Sequence, residues 1–141
     1  SSDTDSIYES LIRELRLLDG TVASEMETSL LVVPNALSDF NRYLEFLADA
    51  NELLRLYKWE GVFQLASFHP DYQFAGTESS DVENFTNRSP FPVFHLIRED
   101  SLSKAIEFHP DPDGIPERNI ALTKSLSESE LKDLFPWRIK S

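Results

Sequence analysis

Three short stretches of this 141-residue chain carry side chains able to do chemistry at neutral pH. The first, Ser67-Phe68-His69-Pro70-Asp71-Tyr72-Gln73-Phe74, brings an imidazole, a carboxylate, a phenol and an amide into one neighbourhood. An imidazole there suits general acid/base work or metal ligation, and Pro70 biases His69 toward extended backbone. The competing reading is structural: His69 hydrogen-bonds the loop backbone while Tyr72 and Phe74 pack. The second stretch, Asn84-Phe85-Thr86-Asn87-Arg88-Ser89-Pro90-Phe91-Pro92, offers Arg88 as a clamp for a carboxylate or phosphate, with Asn87 and Ser89 as donors. Its bland counterpart is an Asn/Ser-stabilised turn with Arg88 in a surface ion pair. The third is Phe94-His95-Leu96-Ile97-Arg98-Glu99. On a helix, His95 and Glu99 fall four apart on one face, so the carboxylate orients the imidazole.

Together these residues describe an enzyme of hydrolase or lyase type acting on a small polar or anionic molecule. His69 is then the acid/base, with Asp71 or Glu99 to orient it and His95 completing the catalytic set. Tyr72, Gln73, Asn87, Arg88, Ser89 and Arg98 bind the substrate, the two arginines taking its negative charge. His69, Asp71, His95 and Glu99 form an oxygen/nitrogen metal site only if the fold converges them. A zinc site usually takes three protein ligands, so no metal is assigned and the cofactor stays open. Two alternatives stand beside the enzyme. One is a non-catalytic binding or assembly module that docks Tyr72, Phe74, Phe85 and Phe91 on a protein. The other is a fold in which the polar residues only knit the loop to the sheet. There is no Gly-rich phosphate loop, no Gly-x-Ser-x-Gly elbow and no His-Glu-x-x-His. Asn84-x-Thr86 and Asn87-x-Ser89 match the glycosylation pattern by chance on this reading.

Bulk composition narrows the partners. Twenty-five acidic residues face thirteen basic ones, for a net charge of -12, and the basic ones form no cluster. Phosphate backbones and anionic membrane surfaces need concentrated Lys and Arg, which sets aside nucleic acid and membrane as partners but leaves a small anion. Zero cysteines exclude disulfides, thiolate nucleophiles and iron–sulfur clusters. The start, Ser1-Ser2-Asp3-Thr4-Asp5, is polar and acidic rather than a secretory leader. The expectation is one soluble domain over 1–141, in the cytoplasm or an organelle matrix.

The elements that must position these residues follow from periodicity. Tyr8, Leu11, Ile12, Leu15 and Leu18 predict an amphipathic helix over 6–18, with Ser6 as N-cap and Gly20 as a left-handed stop. Thr28 to Val33 predicts a buried strand, and Ser38 caps a helix to about Lys58. Val62 to Phe68 is a second strand, so the expected unit is a parallel βαβ with His69 at a strand's carboxyl end. Residues 69–92 read as a long ordered loop, of the kind that is usually functional. Pro92 to Glu99 opens a short helix, or else supplies a missing strand at Phe91 to Ile97; a further strand is sought near Val22. Helices over Ser101–Phe108 and Pro116–Leu126, where Glu117 suits the first turn, and a Ser127-x-x-Glu130 capping box make a helical final third. The fold class is α/β or α+β, with a small sheet.

Several of these segments recur together in a known family. Glu27-Thr28-Ser29-Leu30-Leu31-Val32-Val33-Pro34, Ser67-Phe68-His69-Pro70-Asp71-Tyr72-Gln73-Phe74-Ala75-Gly76, the Asn84–Pro92 stretch, His95-Leu96-Ile97-Arg98-Glu99 and Ile115-Pro116-Glu117-Arg118-Asn119 stand in that order. Over roughly Glu27 to Leu126 the chain resembles the uncharacterised domain-of-unknown-function family 1415 of bacteria and plastid-bearing eukaryotes. The resemblance implies that the polar loop residues are the family's signature; it brings no established activity. It also implies a Leu-Cys-Pro-Phe element and another strand before the first helix, which this Cys-free chain lacks.

Overall fold

Helix α1 (Thr4–Asp19) forms because Ile7, Leu11, Leu15 and Leu18 line one side of it, and all four are buried. The computed structural model describes residues 4–138, so the first three residues of the polar start lie outside the described residues. Ser6 sits inside α1 rather than capping it. Gly20 ends the helix without a left-handed turn; its N–H bonds the Arg16 carbonyl at 3.0 Å.

Strand β1 (Ser29–Val32) leads through residues 33–39 into helix α2 (Phe40–Leu56), and strand β2 (Phe63–Phe68) follows. Asp39, not Ser38, is the N-cap of α2, its carboxylate accepting from the Asn41 N–H at 2.9 Å. Gly61, at φ +80°, turns the chain into β2. Residues 82–87 wind into a short 3₁₀ turn, and strand β3 (Val93–Arg98) comes next.

The sheet corrects the sequence reading. Its order is β1-β3-β2, with both outer strands antiparallel to β3. The parallel βαβ pairing therefore does not form, because β3 is inserted between the two strands that α2 connects. β3 is also the stretch for which a helix was one expectation; it is the central strand. Strand β1 is an edge rather than a buried strand, with Leu30 and Val32 exposed. Val22 lies in an exposed turn, not a strand.

One face of the sheet is covered. Phe63, Leu65, Phe94 and Leu96 pack against α1 and against Tyr43, Phe46, Ala50 and Leu54 of α2. Tyr43 ties the layers together: its hydroxyl donates to the Val93 carbonyl at 2.7 Å and accepts from the Phe68 N–H at 3.1 Å. The final third is helical as expected, with α3 (Glu99–Phe108), α4 (Ile115–Ser125) and α5 (Glu128–Leu134). Ser127 and Glu130 make both arms of the capping box. Among the described residues the architecture is α+β, and no helix is long and apolar enough to cross a membrane.

Candidate functional site

A half-open cleft of about 860 Å³ lies where three loops meet the first turn of α2. Its walls come from Pro34, Ala36 and Ser38 after β1, Phe40 and Asn41 of α2, and Pro70, Asp71 and Gln73 after β2. Ser79, Arg88 and the Pro90–Pro92 turn before β3 close another side, and Trp137 supplies the last. That volume lies within the range of small-molecule sites.

His69 does not face this cleft; it is the post behind it. It is fully buried, and its ring lies 5.2 Å from that of Phe40 and 5.0 Å from that of Tyr43. Nε2–H donates to the Leu37 carbonyl at 2.8 Å, and Nδ1 accepts from the Asp71 N–H at 3.0 Å. Those partners fix a neutral imidazole with both nitrogens engaged. Burial pushes its pKa below the ordinary histidine value, against smaller opposing effects of Leu37, Asp71 and Asp39. The Leu37 carbonyl belongs to a residue at φ +59°, a left-handed backbone that is costly for leucine and is pinned by this bond. In this arrangement His69 has no nitrogen free for acid/base work.

Arg88 is buried, with 8% of its surface exposed, and is held in a fixed pose. Nε–H donates to the Tyr72 carbonyl at 3.0 Å and an Nη2–H to the Ser79 carbonyl at 2.7 Å, while the guanidinium lies over the Phe85 ring. Nη1 donates to no protein group among the described residues. No carboxylate there is in ion-pair contact with Arg88 either, since the ion pairs are Arg55–Glu52 and Arg118–Asp111. The expected surface ion pair of Arg88 is therefore not formed. Burial lowers its pKa, opposed by the charge of nearby Asp71. Trp137 also lines the cleft, and its Nε1–H is buried with no acceptor among the described residues.

The remaining polar residues of the loop are structural in their contacts. Asn84 is fully buried; its Oδ1 accepts from the Phe74 N–H and the Thr77 hydroxyl, and its Nδ2–H donates to the Glu78 carbonyl. An amide so engaged is closed to glycosylation in the folded chain. Asn87 Nδ2–H reaches the Ser67 carbonyl at 3.0 Å, Ser89 donates to the Phe91 carbonyl, and Gln73 Nε2–H donates to the Thr77 carbonyl. Tyr72 is half-buried against Phe40 and Phe74.

The third stretch lies apart from the first two. His95, on the open face of the sheet, bonds the Thr28 hydroxyl at 2.5 Å, and burial lowers its pKa too. Glu99 begins α3, and Arg98 donates to the carbonyls of Leu18, Thr21 and Met26 at 2.7–3.2 Å, closing the end of α1. Because β2 pairs Phe68 with Val93 and Phe63 with Arg98, His69 and Glu99 sit at opposite ends of the sheet. Five residue steps at about 3.3 Å put roughly 16 Å between those ends. The expected four-residue helical pairing of His95 with Glu99 is absent, because β3 is a strand and α3 starts only at Glu99. His69, Asp71, His95 and Glu99 do not converge, and no group of three metal-capable side chains occurs among the described residues.

Sequence reasoning missed Ser38, Phe40, Asn41 and Trp137 as cleft residues. Trp137, an indole beyond the last capped helix, was the one signal available for its part of the wall.

Fold and cleft together define an α+β protein with a cleft, Arg88 in its lining, at one end of an antiparallel sheet. The chain belongs to the family described as protein of unknown function (DUF1415), whose model matches residues 1–133, well beyond the Glu27–Leu126 resemblance. Comparison with curated proteins and with solved structures finds no match in either.

Proposed function

We propose that the protein binds a small, polar, anionic molecule in this cleft, with Arg88 as its anchor. The observation that carries the reading is a buried guanidinium with no carboxylate in contact among the described residues, in a chain with almost twice as many acids as bases. A buried charge is costly unless it is paired, and a ligand oxyanion on Nη1 would supply the missing partner. The orphan Trp137 Nε1–H offers that oxyanion a second bond. A hydrolase- or lyase-type reaction on the bound molecule would rest on Asp71, the other titratable side chain lining the cleft, as the group that moves a proton. The docking-module alternative is less supported. Phe74 and Phe91 are exposed, but Phe85 is 4% exposed and packs against Phe135, so the four aromatics form no single patch.

Thermal denaturation with a panel of small carboxylates and phosphates tests the reading. At about a hundred times Kd, a ligand that binds only the folded chain adds about 2.7 kcal/mol, a rise of roughly 10 °C in Tm. In Arg88→Lys, which keeps the charge but loses the fork, less than about a third of that rise is expected to remain. An equal rise in both proteins would mean general salt stabilisation and would sink the assignment.

A further inference from the structure

The cleft lined by Arg88 also holds a carboxylate with no cation in contact among the described residues. Asp71 stands exposed in the same wall, and no Lys or Arg is in ion-pair contact with it among the described residues. The two charges are near enough for Asp71 to favour the guanidinium's charged form, yet they do not touch. Two charges of opposite sign in the lining of one cleft, neither in an ion pair among the described residues, are matched by a ligand that carries both.

The neutral polar atoms fall into the same two sets. Arg88 Nη1 and Trp137 Nε1–H are donors without an acceptor among the described residues, the latter buried. Gln73 is an acceptor beside Asp71: its amide nitrogen is spent on the Thr77 carbonyl, which leaves Oε1 free of protein donors among the described residues. Phe40, Phe91 and the neighbouring prolines supply apolar surface in the same lining.

Long-range electrostatics select the same ligand. A molecule with several negative charges is repelled by a chain of net charge -12, whereas one whose ammonium offsets oxyanion charge is repelled less. The inference rests on the anion-binding reading above and narrows it. We propose that the ligand is a small zwitterion, with an ammonium and an oxyanion on one short skeleton. Its oxyanion sits on Arg88 and the Trp137 indole N–H, and its ammonium on Asp71 and Gln73. Free α-amino acids and aminoalkyl phosphates share this chemistry.

Calorimetric titration with the α-amino acids and with O-phosphoethanolamine, each set against its counterpart lacking the amine, separates these cases. At least one zwitterion is expected to bind about tenfold or more tighter than its amine-free counterpart, the effect of one charge-assisted contact. Whether that zwitterion is a carboxylate or a phosphate identifies the source. Asp71→Asn should invert the preference: the zwitterion weakens about tenfold, while the amine-free anion tightens once a repelling carboxylate is gone. If amine-free anions bind as well as zwitterions, or if the preference survives Asp71→Asn, the zwitterion proposal fails and the anion site stands. If no probe binds, both fail.

Discussion

His69→Ala should lower the stability of the folded chain by about 3–5 kcal/mol, the sum of a buried-ring cavity and two lost hydrogen bonds. The ring fills the space between Phe40 and Tyr43 and pins the left-handed Leu37 backbone, so its removal loosens residues 34–38 as well. Chemical denaturation measures the loss. The same variant carries a pH signature whose sign follows from burial. The folded pKa of His69 lies below the ordinary value of about 6.5, so below that pH the unfolded chain takes up a proton that the folded chain refuses. Stability is therefore full above pH ~6.5 and falls as pH drops toward the depressed pKa, by at most about 1.4 kcal/mol per pH unit for each such histidine. His95 contributes in the same direction. His69→Ala should flatten the decline by up to one proton's worth. A His69→Ala protein as stable as the wild type but deprived of activity would instead restore the acid/base role.

Arg88→Ala should act on binding as well as on stability. It strips the Tyr72 and Ser79 carbonyls of their donor, but Ser79 is exposed and water can replace part of what is lost. A destabilisation of about 2 kcal/mol is expected, with faster hydrogen exchange confined largely to residues 72–79. Anion affinity should fall at least about tenfold to a hundredfold, the worth of a charge-assisted contact. Wild-type affinity in Arg88→Ala would remove Arg88 from the site.

Local chemistry made some elements legible and hid others. The spacing of Leu11, Leu15 and Leu18 announces α1, and Ser127 with Glu130 announces α5, because helices are specified by near neighbours. β3 was ambiguous for a physical reason. Its covered face carries Phe94 and Leu96 while its other face carries Val93 and Ile97, so no alternation shows, and Pro92 mimics a helix start. The short joins around α2 suggest a parallel pair, and nothing local says that a strand arriving thirty residues later will separate β1 from β2.

The site divides in the same way. Arg88 stood out as a cation in a turn, and the structure places it in the cleft. Arg98 stood out equally, yet it closes α1 across 80 residues of chain, a partnership visible only in three dimensions. His69 looked catalytic because Asp71 and Tyr72 follow it; the residues that bury it, Phe40 and Tyr43, lie far upstream.

The indole N–H of Trp137 reports the central claim most directly. In a ¹H–¹⁵N spectrum, its resonance should shift saturably on titration with acetate or inorganic phosphate as an oxyanion accepts its hydrogen. The indole of Trp59, buried in the core, serves as the internal control and should not move. Arg88→Lys should weaken the apparent affinity of the Trp137 response. A Trp137 resonance that stays fixed, or that drifts together with Trp59, would contradict an anion site at Arg88.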